Sequence, residues 1–440
     1  MFKWKKEIIR TAALLYLVAS LFFVWGIAAG HFKIFPFKQL YVIYAELKAY
    51  LTFKDGPNKS AFDKLLLGHQ ESRTRFGVSG LVIRDSDFQD TGYLLISRYS
   101  KSHKQVIIEL FSISENSVLH TWVPPLDEIF QQAPSFSDGF NRPVSYRAQH
   151  PLLLDDGGLI FTSGEGPMVR MEACGDLVWV IERHFHHSIE LDHAGNIVCP
   201  IVIKGKNSDE LLPIRDDGFA IVSMDGQILE EYSVTDILLT NGYRGLIYGV
   251  GKFERDRIHL NDAQPILRNS NNAKIGDIAL SSRNISTVAL YRPQSDKIIW
   301  LKTGPWLNQH DINQLEDGNY SIFGNDIVRQ ELSDDLFIDN GKSDIYIFDP
   351  LKNLTTQPYA EMMAEEKIGT ETSGRSRVLA NGDVYIEQSD YSRLIRISQN
   401  KVRWEYVNAL SPDTVGAIHW SRYIAADELD LKWKESLSCD

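Results

Sequence analysis

From about residue 75 onward, apolar and polar positions alternate with a period of two rather than 3.6. That pattern predicts strands, each with one buried and one outward face. Short alternating runs are separated by Asp-Gly, Asn-Gly or Ser-Asp pairs, and the glycines supply the positive φ that tight hairpins need. The repeating unit is a short strand, a turn ending in Gly, a β run, a second turn and a closing run that often carries Trp or Tyr. Its anchors are DTGYLLISRY (Gly92), LDDGGLIFTS (Gly157), DHAGNIVCPI (Gly195), AKIGDIALSS (Gly276), LEDGNYSIFG (Gly318) and LANGDVYIEQ (Gly382). The closing runs are SVLHTW (Trp122), DLVWVIE (Trp179), QILEEYS (Tyr232), KIIWLKT (Trp300) and KVRWEYV (Trp404), with DIYIFDP expected to close the Gly318 unit. Six units of about four strands predict an all-β fold, a six-bladed β-propeller, whose blades bury their faces only by stacking on neighbours. An open sandwich is the alternative arrangement.

The N-terminal pattern is different. No formally charged residue occurs from Thr11 to Phe32, taking His31 as neutral, and Lys3, Lys5, Lys6 and Arg10 precede this apolar run. About twenty residues at ~1.5 Å each span the ~30 Å hydrocarbon core of a bilayer. The segment therefore predicts a transmembrane signal-anchor, with the N-terminus cytoplasmic by the positive-inside rule and the rest periplasmic or otherwise extracytoplasmic. A cleaved signal peptide ending near Ala28-Ala29-Gly30 is the competing reading. The aromatic-rich stretch at 34–53 predicts an interfacial helix. The expected organisation is a cytoplasmic tip and anchor (1–33), a juxtamembrane helix and linker (34–74), the propeller (75–430) and a C-terminal tail (431–440).

Composition narrows the function classes. The chain has 440 residues, 43% hydrophobic and 24% charged, which fits a globular fold rather than a disordered chain or a multi-span membrane protein. A net charge of −12 gives phosphate backbones no general attraction, so no nucleic-acid partner is expected. Cys174, Cys199 and Cys439 make no CxxC pair, so no metal site is expected from them. Cys174 and Cys199 either pair or remain as thiols. The acidic run at 330–345 reads as a solvated loop.

The histidines carry the candidate chemistry. His310 and His187 lie eight residues before Gly318 and Gly195, His150 lies seven before Gly157, and His259 begins the unit that reaches Gly276. Equivalent positions of successive blades face the central channel, so these imidazoles are expected to meet there. Burial and mutual repulsion would hold them below the ordinary ~6.5, leaving neutral rings able to act as nucleophile or base.

QHDINQLEDGNYSIFGND resembles the QHD segment of the bacterial arylsulfotransferase (ASST) family; IHLND, HHSIELDHAGNIV and the SGRSRVLANGDVYI–KVRWEYV–SRYIAA series resemble further family segments. The resemblance spans about residues 145–425. It implies a periplasmic six-bladed propeller without a cofactor, moving a sulfuryl group from an aryl sulfate to a phenolic or other hydroxyl acceptor without a nucleotide sulfate donor. It also implies a sulfated-histidine intermediate, with other histidines and an arginine around the sulfate oxygens. Residue by residue, His259 and His310 match family histidines, Arg329 stands near the place of the sulfate-binding arginine, and Asn325 matches the Asn of the F-x-N stretch. The family's nucleophilic histidine lies downstream, where this chain has Gly374 between Ser373 and Arg375. Either His419 serves, an upstream histidine such as His187 replaces it, or the nucleophile is absent. The expected catalytic set is His187, His259, His310 and Arg329, with Asn325 and Arg375 binding ligand. The alternative function is an inactive propeller that holds an anionic or sulfated ligand or a partner protein at the cell envelope.

Overall fold

The computed structural model describes residues 14–26 except 15 and 19, 77–136, 146–203, 214–251, 254–329, 336–412, 414–435 and 437–439. The chain forms two compact units, Met1–Leu65 and Leu66–Asp440. In the first, the described residues are helical with mostly exposed apolar side chains. The expected membrane span over 11–32 lies partly, and the helix over 34–53 wholly, outside the described residues. Among the described residues no helix is long and apolar enough to cross a membrane.

The second unit is all-β and propeller-like. Its first sheet orders Arg422–Ile424, Tyr93–Ser100, Gln105–Ser112 and Ser117–Trp122. An eight-stranded sheet follows, in which Gln149–Leu153, Leu159–Thr162, Gly166–Met171 and Leu177–Phe185 continue into Ile197–Val202, Asp217–Val222 and Ile228–Ser233, with Glu190–Leu191 on the side. The two halves share one ladder pair, Ile201 with Phe185. Next come four strands from Leu260–Pro265 to Lys297–Thr303, and four more from Ile312–Gln314 to Leu354–Thr356. The last sheet runs from Arg375–Val378 through Val402–Val407 and takes Gly80–Ile83 as a fifth strand. Among the described residues the hydrogen bonding thus yields five such sheets, not the six separate blades expected. The DIYIFDP strand also differs from expectation: Asp344–Asp349 is third in its sheet, and Leu354–Thr356 closes it.

The turns follow the chemistry read from the sequence. Gly157, Gly195, Gly318 and Gly382 all have φ between 80° and 83°. An Asp or Asn just upstream accepts from the turn backbone: Gly158 N donates to Asp156 Oδ1, Ala194 N to Asp192 Oδ1, Asn319 N to Asp317 Oδ1 and Asp383 N to Asn381 Oδ1, at 2.8–3.1 Å. Such Asx turns reproduce a backbone turn with a side chain.

The core lies between sheets. Six apolar clusters succeed one another around the unit, and one of them packs Tyr385, Leu394 and Trp404 of the last sheet on Leu94, Ile96 and Phe111 of the first. Full burial stabilises each such side chain by about 1.5–3 kcal/mol. Chain ends from both directions close the structure, since Gly80–Ile83 joins the last sheet and Arg422–Ile424 joins the first. At that seam the Asp90 carboxylate accepts from Arg396 (2.7 Å), Trp404 Nε1 (2.7 Å) and Tyr423 OH (2.9 Å). The disulfide joins Cys174 to Cys439, and Cys199 is a buried thiol. The Cys174–Cys199 pairing left open from sequence is therefore not formed, because Cys199 sits in the core between sheets while the C-terminal tail reaches Cys174.

Candidate functional site

The innermost strands are latched to one another. His150 Nδ1 accepts from Ile189 N (2.9 Å), Ser188 Oγ from Ala263 N (3.3 Å), Asp262 Oδ2 from Ile312 N (3.0 Å), Asp311 Oδ2 from Ser376 N (2.7 Å) and Glu387 Oε1 from Trp420 N (2.9 Å). Each latch runs from a side chain near the start of one unit, or from the second strand of the last sheet, to the backbone of the next inner strand. The starts of these strands are thereby held together around one axis. Burial, reinforced by Glu190, pushes the Asp262 carboxyl up to about 8, and burial pushes Asp311 up to about 6.

Three of the histidines that begin these strands occupy the left-handed region: His150 (φ 50°), His187 (φ 59°) and His259 (φ 48°). Trp420 does the same at φ 54°. A non-glycine residue held there costs about 1–3 kcal/mol, and such strain concentrates at functional sites. The strain is offset by the latches on either side.

The rings converge. The His187 ring centroid lies 5.3 Å from His259, 6.0 Å from His310 and 5.5 Å from Trp420. Trp420 in turn lies 6.0 Å from His310 and 5.5 Å from His150. Burial and neighbouring charges hold His186, His187 and His310 well below the ordinary imidazole range. For His187 the neighbours are His186, His259 and His310; for His310 the main one is the Arg283 guanidinium.

Hydrogen bonding fixes the protons. Asn325 is fully buried, and its Nδ2 donates to Thr370 O (2.9 Å) and Ser373 O (2.7 Å). Its Oδ1 must therefore accept, so His310 Nδ1 carries the proton of their 2.5 Å bond. The neutral His310 ring then has its lone pair on Nε2. His186 Nε2 is buried without a hydrogen-bond partner, 3.7 Å from the Asp217 carboxylate. His186 Nδ1 and His187 Nδ1 lie 2.9 Å apart, so one ring donates to the other. His259 Nδ1 donates to Asp256 Oδ2 at 2.6 Å. Burial pushes the Asp256 carboxyl up, but the His259 hydrogen bond together with the charges of His259, Arg215 and Arg283 leaves the group below its ordinary value.

Of the residues expected from sequence, His187, His259 and His310 lie together, and Asn325 touches His310 directly. Arg375 lies with its guanidinium 5.6 Å from the Trp420 ring, and after burial its charge is the main influence holding His150 well below the ordinary imidazole range. Arg329 ends the strand Ile327–Arg329, which pairs with Leu336–Ile338 in a hairpin outside the large sheets, and its side chain lies outside the described residues. No ring contact joins His419 to the cluster among the described residues. The SRYIAA segment is also not the last sheet's closing strand, since Arg422–Ile424 is innermost in the first sheet. A side chain at Gly374 has no room: a Cβ there would lie 2.6 Å from Phe323 and from Thr370, and φ is +85°. The place of the family's downstream histidine is closed by packing.

Sequence reasoning missed His186, Asp217, Asp256, Arg283 and Trp420. Two had a readable signal: His186 is half of a His-His pair, and Asp256 lies three residues before His259. Asp217, Asp256 and His259 bring three potential metal-ligand atoms within 4.8 Å of one another. Arg215 Nε already donates to Asp217 Oδ1 at 2.8 Å, which places a cation where a metal would compete.

A family model described as Arylsulfotransferase (ASST) matches residues 150–409, more than half of the chain and all of the histidine cluster. The chain belongs to the arylsulfotransferase family. Membership implies a sulfotransferase-type enzyme, with aryl sulfate donors and phenol acceptors in general. Among curated proteins no match reaches significance. Similar solved structures include a Bacteroides caccae protein of unknown function, with 13% identity, 76% of this chain and 99% of that one covered, and TM-score 0.47. The Pseudomonas aeruginosa periplasmic gluconolactonase has 11% identity, 76% and 99% coverage and TM-score 0.41. Virginiamycin B lyase from Staphylococcus aureus has 12% identity, 77% and 98% coverage and TM-score 0.37.

Proposed function

We propose that this family member transfers a sulfuryl group from an aryl sulfate to a phenolic or other hydroxyl acceptor at the histidine cluster, with His310 as the nucleophile. The observation that carries the reading is the His310–Asn325 bond, which commits the Nδ1 proton and leaves the Nε2 lone pair unprotonated at neutral pH. In the first half-reaction the Nε2 lone pair attacks sulfur, the S–O(aryl) bond breaks, and the phenolate leaves with the electron pair. The new positive charge on the ring is stabilised through the Nδ1–H bond to Asn325 Oδ1. In the second, the acceptor oxygen attacks sulfur and the S–N bond breaks, returning the lone pair to Nε2. The acceptor proton passes to His187 or His259. The transferring group spreads negative charge over three oxygens, and a preorganised cation stabilises it best. Arg283 is the buried arginine whose charge reaches His310, and we assign it that role beside or in place of Arg329.

We read the eight-stranded sheet as two blades, since its two four-strand runs share one ladder pair, Ile201 with Phe185; this reading assigns one blade to each of the six apolar clusters. The uncharged segment from Thr11 to Phe32 supports a membrane anchor with the catalytic unit outside the cytoplasm. The Cys174–Cys439 bridge supports the same side, because disulfides persist in oxidising compartments. A second reading, ligand binding without turnover, is favoured by Gly374, which closes the family's downstream histidine position. Release of a coloured phenol from 4-nitrophenyl sulfate in the presence of a phenol acceptor separates the two. Transfer requires release that a His310→Ala, His259→Ala double variant lacks, and equal release from both proteins would refute it.

A further inference from the structure

The inner strands carry a second polar constellation beside His150, whose Nδ1 lies 3.3 Å from Arg422 Nη2. A cavity of about 430 Å³ opens there, within the size range of small-molecule sites. Arg375, Ser421 and Gln264 are among its lining residues, with apolar contributions from Leu152, Pro265 and Leu267. Arg375 is 7% exposed, and its buried Nη1 has no hydrogen-bond partner. Ser421 Oγ and Gln264 Oε1 are likewise buried and unpartnered. The nearest carboxylate, Glu190, is 3.9 Å from Arg375 Nη2 but accepts directly from Arg422 Nη1 at 3.2 and 3.3 Å. Two guanidinium groups thus share the Glu190 carboxylate, and Asp311 and Glu387 feel the Arg375 charge without bonding to it, so Nη1 is left with no acceptor. A buried charge without a full partner is costly, and an anion in the cavity would relieve that cost.

We infer that this cavity is a binding site for an aromatic monocarboxylate, whose carboxylate is held by Arg375 and Ser421 while its ring lies against Leu152, Pro265 and Leu267. The site is built on residues other than His187, His259 and His310 and does not depend on the sulfuryl-transfer reading. Isothermal titration of the detergent-solubilised full chain with 2-naphthoate tests it, with 2-naphthylmethanol as the neutral comparator. Saturable naphthoate binding is expected, with the alcohol weaker. Arg375→Met should weaken naphthoate about 10- to 100-fold, the usual range for losing a charge-assisted bond. Leu267→Trp, which fills a half-exposed wall position without touching the buried groups, should weaken it as well. His310→Ala should leave the affinity unchanged. Absence of saturable binding would overturn the proposal. So would affinity that both Arg375→Met and Leu267→Trp leave intact, or affinity that His310→Ala abolishes.

Discussion

Asn325→Asp isolates the proton assignment on which catalysis depends. The substitution keeps the shape of the side chain and the acceptor for His310 Nδ1–H, but it places a negative charge against the imidazole, where the present bond is 2.5 Å long. An opposite charge at hydrogen-bond range raises a histidine pKa by about 1–3 units. His310 is now held well below the ordinary range, so the wild-type ring is neutral through the physiological window. With the carboxylate beside it the ring would retain a proton on Nε2 to higher pH, and the nucleophilic lone pair would be lost. The acid limb of kcat/KM should therefore move up by about 1–3 pH units, with activity recovering above it. N325D also loses both amide donors, to Thr370 O and Ser373 O. Leaving the buried Thr370 carbonyl unpaired costs about 1–3 kcal/mol and the half-buried Ser373 carbonyl less, so thermal stability should fall too. Asn325→Ala is the uncharged control: it loses the same two donor bonds, and the His310 acceptor as well, without adding charge. The assay is 4-nitrophenol release from pH 5 to 9 at a temperature where both variants are folded. Superimposable acid limbs for N325D and Asn325→Ala would refute the reasoning.

Asp262→Asn should flatten part of the pH dependence of stability. The folded carboxyl titrates at about 8 against 3.8 in an unperturbed chain, so the folded state holds a proton that the unfolded state has released. Its contribution is full below about pH 4 and is lost as pH rises toward 8, at about 1.4 kcal/mol per unit. Denaturant melts from pH 4 to 8 should show the wild type losing several kcal/mol relative to Asp262→Asn, and parallel curves would contradict the assignment. Arg283→Gln should lower kcat/KM for the aryl sulfate by about 10²-fold or more, the scale of one lost oxyanion donor, while Arg329→Gln has a smaller effect. Steady-state kinetics of the two variants decide between these arginines. Cys439→Ser should destabilise the catalytic unit by about 2–5 kcal/mol, because the bridge spans a separation of 265 residues. Reductant should reproduce that loss in the wild type and leave the variant unchanged.

The period-two pattern and the Asp-Gly and Asn-Gly turns made the all-β repeat legible, because strand alternation and positive-φ glycines are local properties. Blade boundaries were less legible. Ile201–Phe185 pairing merges two repeats, and DIYIFDP became a third strand because a hairpin, Ile327–Arg329 with Leu336–Ile338, is inserted before it. Ring closure by Arg422–Ile424 is a contact between distant parts of the chain, so SRYIAA read as the end of the last unit instead of the start of the first. The repeat register was enough to bring His187, His259 and His310 together. It did not reveal Asp217, Arg283 or Trp420, which belong to other elements and reach the cluster only through the tertiary fold. Gly374 showed in the sequence that a histidine was missing. Only the structure shows why none fits, because Phe323 and Thr370 fill the space.

Intact and peptide mass spectrometry of the chain, quenched after exposure to 4-nitrophenyl sulfate without acceptor, is the most direct test of histidine-mediated transfer. The account predicts one added sulfuryl group, located on the peptide containing His310, lost on adding phenol and absent from His310→Ala. Turnover with an unmodified His310 peptide, or a sulfuryl group that persists in His310→Ala, would contradict it.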